Sequence, residues 1–343
     1  MIDAKHDRAR GALLGLAVGD SAGVHNEFRR LAAPPFPRLA RGPVTGPVGG
    51  GPFHLASGQI SDDTQMACCL ALSLSGKGRF DLTDVAARYV AWTDVAFDIG
   101  NQTRAALSLV KRASPEDAGK RVWISSKQSA AGNGSLMRCA PIGVFFAEDP
   151  EQRRLASLAD SALTHFDPRC QLACAALNAA ISTAIVWKGQ PTADALVAAG
   201  DREVDAAAEM LVHRVYQDDI PLVVRAAAEL HHDLRAARDD DPKLYGPELH
   251  LHDQMGFVRI ALRGAFWELL HAPTFEAAVI DTINRFSDSD TVGAVVGALA
   301  GAYYGESAIP EEWKTSVLGA LQDGPPSPLR DLYHPTKLLE LVP

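Results

Sequence analysis

The sequence predicts an all-α protein, and three observations support this prediction. Apolar residues recur three and four positions apart along most of the chain, the spacing that places them on one face of a helix. The alternation typical of strands is hard to find, and glycines and prolines separate the periodic blocks. Only 122–125 and 141–146 could form short strands, and the second equally suits the start of a buried helix.

The clearest helical patterns lie near the two ends of the chain. One periodic block begins at Ala9 and another at Val292, and Ala-rich stretches with strong helix propensity lie between them. The last block also carries Gly293, Gly297 and Gly301 at steps of four. One face of that helix therefore lacks side chains, and a neighbouring helix can approach it closely.

Length and composition indicate a folded protein. The chain has 343 residues, of which 47% are apolar, and no linker separates domains, so we expect one helical domain over 1–343, although the length also allows two. The uncharged runs 171–187 and 291–305 are too short for a typical membrane span, and we expect buried helices and no membrane partner. The N-terminal residues are too charged for a secretory signal. Five cysteines without a CxxC motif favour reduced thiols and a cytoplasmic location.

The charge balance bears on binding partners. There are 33 basic and 42 acidic side chains, a formal net charge of -9, and no basic block. Tight nucleic-acid binding is therefore not expected, since it needs clustered Lys and Arg, whereas cation binding is compatible with this balance. The segment 33–52 holds six prolines and five glycines, and such a long irregular segment indicates a lid beside a site.

Acidic and hydroxyl residues open two of the predicted helices: Ser61, Asp62, Asp63, Asp288, Asp290 and Thr291. Asp62 with Gln65 could form a capping box, and capping alone would explain one acid at each start. Each start has two acids, however. Carboxylates and hydroxyls are ligands suited to Mg²⁺ or Mn²⁺, and two ions about 3.5–4 Å apart would allow one carboxylate to bridge them.

Three other features are less specific by themselves. Asp20 and Glu27 could be solvated acids, although Glu27 lies on the approach to 33–52, where a mobile acid could cover a site. Residues 132–138, GNGSLMR, offer backbone N–H groups that can hold a phosphate, with Arg138 adding charge or supporting the fold. A Gly-Asn-Gly sequence alone is usually only a turn.

Taken together, these motifs resemble those of the ADP-ribosylglycohydrolases, and the resemblance covers nearly the whole chain. The matching segments follow the family's order: GALLGLAVGDSAGVHNEF at 11–28, SDDTQM at 61–66, DIGNQTR at 98–104, GNGSLMR at 132–138, TH at 164–165, MGFVRIALRGAFWELL at 255–270 and DSDTVGAVVGALAGAYYG at 288–305. The SDDTQ and DSDT elements are specific individually, and their ordered combination with GNGSLMR makes chance resemblance improbable.

The resemblance implies an all-α, single-domain orthogonal helical bundle with two Mg²⁺ or Mn²⁺ ions in a central cleft. By position, it implies the metal ligands Ser61, Asp62, Asp63, Asp288, Asp290 and Thr291. It implies a substrate-binding set of Asp98, Gly100, Gly132, Asn133, Gly134, Ser135 and His165, and a glutamate on a mobile loop, Glu27, that covers the metals. The chain departs from the family at Phe286 and Ser287, where glycines are usual, and at Ser61 and Ala130.

The implied reaction is metal-dependent hydrolysis of the bond between the anomeric carbon of ADP-ribose and an acceptor, with arginine on a modified protein as the default. The implied cations would hold ribose hydroxyls and position a water. Asp63 and Glu27 are the candidates for proton transfer, with Asp62 as a third catalytic candidate. The expected partner is an ADP-ribosylated protein or another ADP-ribosylated acceptor, and the protein is expected to be a monomer.

Three other functions compete with this one. A magnesium-dependent enzyme acting on isoprenoid diphosphates predicts DDxxD, but Met66 stands where the last acid would be. A catalytically silent, crystallin-like member of the same fold needs no metal ligands, and an ADP-ribose-binding module would bind the ligand without turnover. Retention of all four metal-site aspartates and of Glu27 favours catalysis.

Overall fold

The computed structural model describes residues 3–112, 114–322 and 330–342, and within these ranges the chain forms α-helices and short 3-10 helices but no strand. The prediction of an all-α fold is confirmed, and 122–125 and 141–146 lie in or at the end of helices. The α-helices are α1 (Ala4–Gly23), α2 (Asp62–Lys77), α3 (Leu82–Trp92), α4 (Asn101–Val110), α5 (Pro115–Ser125), α6 (Ala140–Phe145), α7 (Pro150–Thr164), α8 (Pro168–Val186), α9 (Ala193–Arg214), α10 (Ile220–Ala236), α11 (Val258–His271), α12 (Phe275–Arg285), α13 (Ser289–Tyr304), α14 (Glu311–Gly319) and α15 (Thr336–Leu339). The 3-10 helices are Val24–Asn26, Glu306–Ala308 and Arg330–Tyr333.

The centre of the fold is an antiparallel pair formed by α1 and α13. Their glycine faces meet so closely that a Cβ added at Gly19 would lie 1.9 Å from the carbonyl oxygen of Gly293. A Cβ added at Gly15 would likewise lie 2.2 Å from the carbonyl oxygen of Gly297. The glycine face predicted on α13 is therefore a backbone-to-backbone contact, and its partner is the first helix of the chain.

The other helices surround this central pair. Helices α8, α11 and α12 pack on α13, while α2 and α6 pack on α1. Of the described helices, only α8 is long and apolar enough to cross a membrane, and 83% of its apolar window is buried inside the protein. The uncharged runs 171–187 and 291–305 thus form buried helices, as the sequence indicated.

Residues 34–44 of the Pro/Gly-rich segment 33–52 lie on α12 and are held there by buried side chains. Arg285 donates to the carbonyl oxygens of Pro34 at 2.6 Å and Arg38 at 2.8 Å. Asn284 exchanges hydrogen bonds with the backbone of Val44. Side chains of one helix thus supply the hydrogen bonds that regular structure would otherwise provide.

We expect Gly19→Ala to lower the free energy of unfolding by about 2 kcal/mol or more, because the new methyl group must displace the backbone of α13. Gly76→Ala in α2 is the matched control. A Cβ there meets no heavy atom within 4 Å, so alanine should stabilise the helix by about 0.5–1 kcal/mol. Urea unfolding curves measure both changes, and equal midpoints for the two variants would contradict the contact.

A second prediction concerns His231, which joins α10 to α9. Its Nδ1 lies 2.7 Å from a carboxylate oxygen of Asp201 and its Nε2 2.9 Å from one of Asp205. Partial burial alone would lower the pKa of His231, but these hydrogen bonds raise it above its usual value of 6.5. The protonated His231 therefore contributes its full stabilisation of the folded state below about pH 6.5, and this contribution is lost as the pH rises through the raised pKa. His231→Gln should therefore lower the melting temperature more at pH 6 than at pH 9. An equal loss at both pH values would exclude a stabilising role for the protonated His231.

Candidate active site

Six carboxylates from three parts of the chain converge at one end of the central helix pair. Asp20 lies in the last turn of α1 and Glu27 follows the next 3-10 helix, while the others lie at the starts of α2 and α13: Asp62, Asp63, Asp288 and Asp290. All six except the half-buried Asp288 are buried. The two acidic helix starts therefore lie together, as the glycine face of α13 suggested.

The carboxylates form two groups that share Asp290. In one group, oxygens of Asp20, Asp63 and Asp290 lie within 4.8 Å of one another, and in the other the same holds for Glu27, Asp288 and Asp290. The buried Oδ1 of Asp63 has no hydrogen-bond partner. A buried oxygen of this kind needs a proton or a cation, and two groups of hard oxygen ligands fit two divalent cations.

The start of α2 is capped by a residue of another helix. Asp20 accepts hydrogen bonds from the backbone N–H of Ser61 at 2.9 Å and of Thr64 at 3.1 Å, and from the Ser61 hydroxyl at 2.7 Å. The interpretation of Asp20 as a possible solvated acid is therefore wrong. The capping box is also absent, because Gln65 instead accepts a hydrogen bond from Trp92 at 2.7 Å.

Helix α13 is capped in the same way. The Oε2 atom of Glu27 accepts a hydrogen bond from the backbone N–H of Ser289 at 2.9 Å. The side chain of Asp288, at the N-cap position, makes no capping hydrogen bond. In both helices an acid from the α1 region accepts the first backbone hydrogen bond, and in α13 Asp290 also accepts one from the N–H of Thr291 at 2.8 Å. Most oxygens of the helix-start acids thus remain available for other ligands.

Burial and mutual repulsion raise the pKa values of these acids. Burial is the larger cause for Asp290, whose pKa is raised to about 7, and Asp288 adds to it. Burial raises the pKa of Glu27 well above its usual range, followed by the charges of Asp290 and Asp288. The same causes raise the pKa values of Asp62 and Asp63. Since the charged forms repel one another, cations are needed to hold all of them ionised.

The acidic end opens into a cleft of about 330 Å³. Its lining includes these residues from the sequence-predicted set: Glu27, Asp62, Asp98, Gly100, Gly132, Asn133, Gly134, His165, Asp288, Asp290 and Thr291. Ser61, Asp63 and Ser135 do not line it. The Ser61 hydroxyl lies among the carboxylates, 2.8 Å from Asp63, and Ser135 lies behind the glycine loop, 2.9 Å from the Ser161 hydroxyl.

The glycine loop 132–135 is fixed to the acidic end and to its surroundings. Asn133 donates from its side chain to Asp288 at 2.6 Å and from its backbone to the Gly256 carbonyl at 3.0 Å. Gly134 lies against His165, so that a Cβ there would come within 2.9 Å of the ring. Asn133 therefore connects the loop to the predicted metal ligand Asp288.

Arg138 and His165 lie near the glycine loop, but neither supplies a positive charge that could bind a phosphate. Arg138 is fully buried, donates to Asp160 at 3.1 Å and stacks on Tyr89, so it supports the fold. Burial, and secondarily the charge of Arg138, lowers the pKa of His165 well below its usual range. His165 is therefore neutral, with its Nδ1 2.8 Å from the Thr164 hydroxyl.

Several lining residues were not among the predicted site residues. Phe28, Gln102, Met137, Met255 and Gly256 line the cleft, and although each lies in a segment that resembles the family, apolar and amide side chains do not by themselves indicate a site. A second, open groove of about 540 Å³ shares Gly132, Met255 and Gly256 with the cleft. The two form one trough with an acidic end, a glycine loop in the middle and a groove at the other end. That other end is lined by Ser129, Ala131, Arg169, Asp253, Gln254 and Phe257.

Comparisons with known proteins identify the family of this chain. A family model described as ADP-ribosylglycohydrolase matches residues 1–337. The chain is 33% identical over 324 residues to an ADP-ribosylarginine hydrolase, Tri1, of Pseudomonas putida, covering 91% of this chain and 74% of that protein. It is 29% identical over 324 residues to an ADP-ribosyl-(dinitrogen reductase) glycohydrolase of Rhodospirillum rubrum, covering 91% and 90%.

A solved structure supports the same assignment. A chain of an ADP-ribosylglycohydrolase-related protein complex superposes with a TM-score of 0.70 at 28% identity, covering 99% of this chain and 98% of the other. The prediction of a hydrolase that acts on glycosyl bonds is confirmed. The chain belongs to the ADP-ribosylglycohydrolase family.

Proposed function

We propose that this protein removes ADP-ribose from arginine side chains of modified proteins, with two Mg²⁺ or Mn²⁺ ions as cofactors. The observation that carries the proposal is the pair of buried carboxylate groups that share Asp290 at the floor of the cleft. Relatives from Pseudomonas putida and Serratia proteamaculans are named ADP-ribosylarginine hydrolases, and they support arginine as the acceptor.

The shape of the trough fits ADP-ribose, which has a pyrophosphate between two ribosides. We place the distal ribose at the acidic end, the pyrophosphate against the loop at Gly132–Gly134, and the adenosine in the groove beside Phe257. Backbone N–H groups of such loops bind phosphates without a basic side chain. If the Thr164 hydroxyl donates to Nδ1 of His165, the Nε2–H group, which lies towards Gly132, is free to donate to a phosphate oxygen.

The cations would be held by the two carboxylate groups, Asp20, Asp63 and Asp290 in one and Glu27, Asp288 and Asp290 in the other. The hydroxyls of Ser61 and Thr291 lie close enough to the acids to complete the ligand set that the family resemblance implies. When bound, the ions supply Lewis-acid polarisation of the ribose hydroxyls and of water.

The protein's own residues account for proton transfer. Cleavage of the bond to the guanidinium nitrogen needs a proton on the leaving group, and attack by water needs a base. Glu27 and Asp62 line the cleft, whereas Asp63 is fully buried beneath it. We therefore assign a ligand role to Asp63 and proton transfer to Asp62, which belongs to neither carboxylate group, or to Glu27 when it is not bound to a cation. The nearby carboxylates also stabilise the positive charge of an oxocarbenium-like transition state.

The proposed activity predicts a simple assay result. Incubation with arginine-linked ADP-ribosyl peptide and Mn²⁺ or Mg²⁺ should release ADP-ribose, and EDTA should stop the release, because the carboxylates then lose their cations. A serine-linked peptide measures linkage preference. Absence of metal-dependent release from every linkage would overturn the enzyme assignment, and binding of ADP-ribose without turnover would instead indicate a binding module.

A variant at the shared ligand tests the metal site. Asp290→Asn removes a charge from both carboxylate groups, so we expect Mn²⁺ affinity to fall by about hundredfold or more at both sites, with loss of turnover. Asp94→Asn, at an exposed acid that forms an ion pair with Lys111, is the control and should bind Mn²⁺ normally. Titration calorimetry measures the affinities, thermal melts confirm that both variants fold, and unchanged Mn²⁺ affinity in Asp290→Asn would refute the site.

A further inference from the structure

We propose that Phe28, with Phe53 and Phe97 beside it, forms an aromatic wall that binds the arginine guanidinium of the acceptor and selects it over uncharged acceptors. This inference rests on the function proposed above. It assigns acceptor selection to Phe28, which lines the cleft but belongs to neither carboxylate group.

The position of the wall follows from the site. Phe28 lines the cleft and directly follows Glu27, and Phe97 directly precedes Asp98, another lining residue. The ring of Phe53 lies between them, with centroids 6.4 Å from Phe28 and 5.5 Å from Phe97. The acceptor is attached at the anomeric carbon, so it must leave from the acidic end. The aromatic wall therefore borders the end of the cleft at which the acceptor is attached.

The conformation of Phe28 is unusual for an aromatic residue. Its φ is 63°, in the left-handed region that favours glycine and asparagine, and its side chain is 53% exposed. The backbone is held by a hydrogen bond from the Phe28 N–H to the Ser287 carbonyl at 2.7 Å. A strained backbone that holds a large apolar side chain at a cleft indicates a role in binding rather than in stability.

The chemistry of the wall suits a guanidinium group. Guanidinium is a planar, delocalised and weakly hydrated cation that stacks on aromatic faces. The acids Glu27 and Asp98, which line the cleft with Phe28, make its mouth attractive to a cation. The side chain of a serine-linked acceptor has neither a positive charge nor a planar group that could stack on the ring. A cation–π contact between guanidinium and a desolvated aromatic ring corresponds to about five- to thirtyfold in affinity.

The test compares acceptors in variants of Phe28. Phe28→Leu keeps an apolar side chain without a ring, Phe28→Asn suits the left-handed backbone, and Phe28→Tyr keeps the ring. For an arginine-linked ADP-ribosyl peptide, Leu and Asn should raise KM by about five- to thirtyfold, whereas Tyr should leave it unchanged. Affinity for the matched serine-linked peptide, measured as KM or as an inhibition constant, should not change in any variant. Affinity for free ADP-ribose, measured by calorimetry, should also stay the same.

The control is Trp187→Leu, which removes an exposed aromatic side chain remote in sequence from the cleft residues and should alter neither acceptor's affinity. An equal loss for both linkages, or no loss in Phe28→Leu and Phe28→Asn, would overturn the aromatic wall while leaving the proposed function intact. Failure of the wild-type protein to release ADP-ribose from arginine would overturn the proposed function, and the acceptor wall with it.

Discussion

The site depends on the direct contact between the backbones of α1 and α13. With only glycine between them, the two helices lie closer than side chains would permit, and their antiparallel arrangement places the end of α1 beside the start of α13. Gly23 continues this contact, since a Cβ there would lie 2.2 Å from the Ser289 carbonyl. Asp20 and Glu27 are thereby brought to Asp290, and the geometry of both carboxylate groups is fixed by the packing of the central pair.

This arrangement also explains how so many acids can be gathered in one place. The N-termini of α2 and α13 carry partial positive charge, which favours carboxylates near the first turn. Asp20 and Glu27 accept the first N–H groups of the two helices, and Asp290 accepts that of Thr291. The remaining repulsion between the acids raises their pKa values, so the cations of the proposed function and these acids would stabilise one another.

The sequence predicted the helical fold and the pairing of two acidic helix starts because both follow from local patterns. Periodicity, helix-start residues and steps of four between glycines are visible within short windows. The capping partner of α2 was not predictable in this way, since Asp20 lies 41 residues before Ser61. The capping box between Asp62 and Gln65 matched the local sequence pattern, but the structure does not contain it, because Gln65 accepts a hydrogen bond from Trp92. The matching glycine step in α1, from Gly11 to Gly23, was visible in the sequence and could have identified the partner of α13.

Under the proposed function, the distribution of charge in the trough gives the cations a role in binding as well as in chemistry. Among the described residues that line the acidic cleft there is no lysine or arginine, because Arg138 is buried with Asp160. A neutral His165 and backbone N–H groups therefore face the phosphates under the proposed function. An anionic pyrophosphate close to six carboxylates would be repelled unless the charge of those carboxylates is neutralised. Under the proposed function, divalent ions would therefore allow an anionic ligand to enter this acidic cleft.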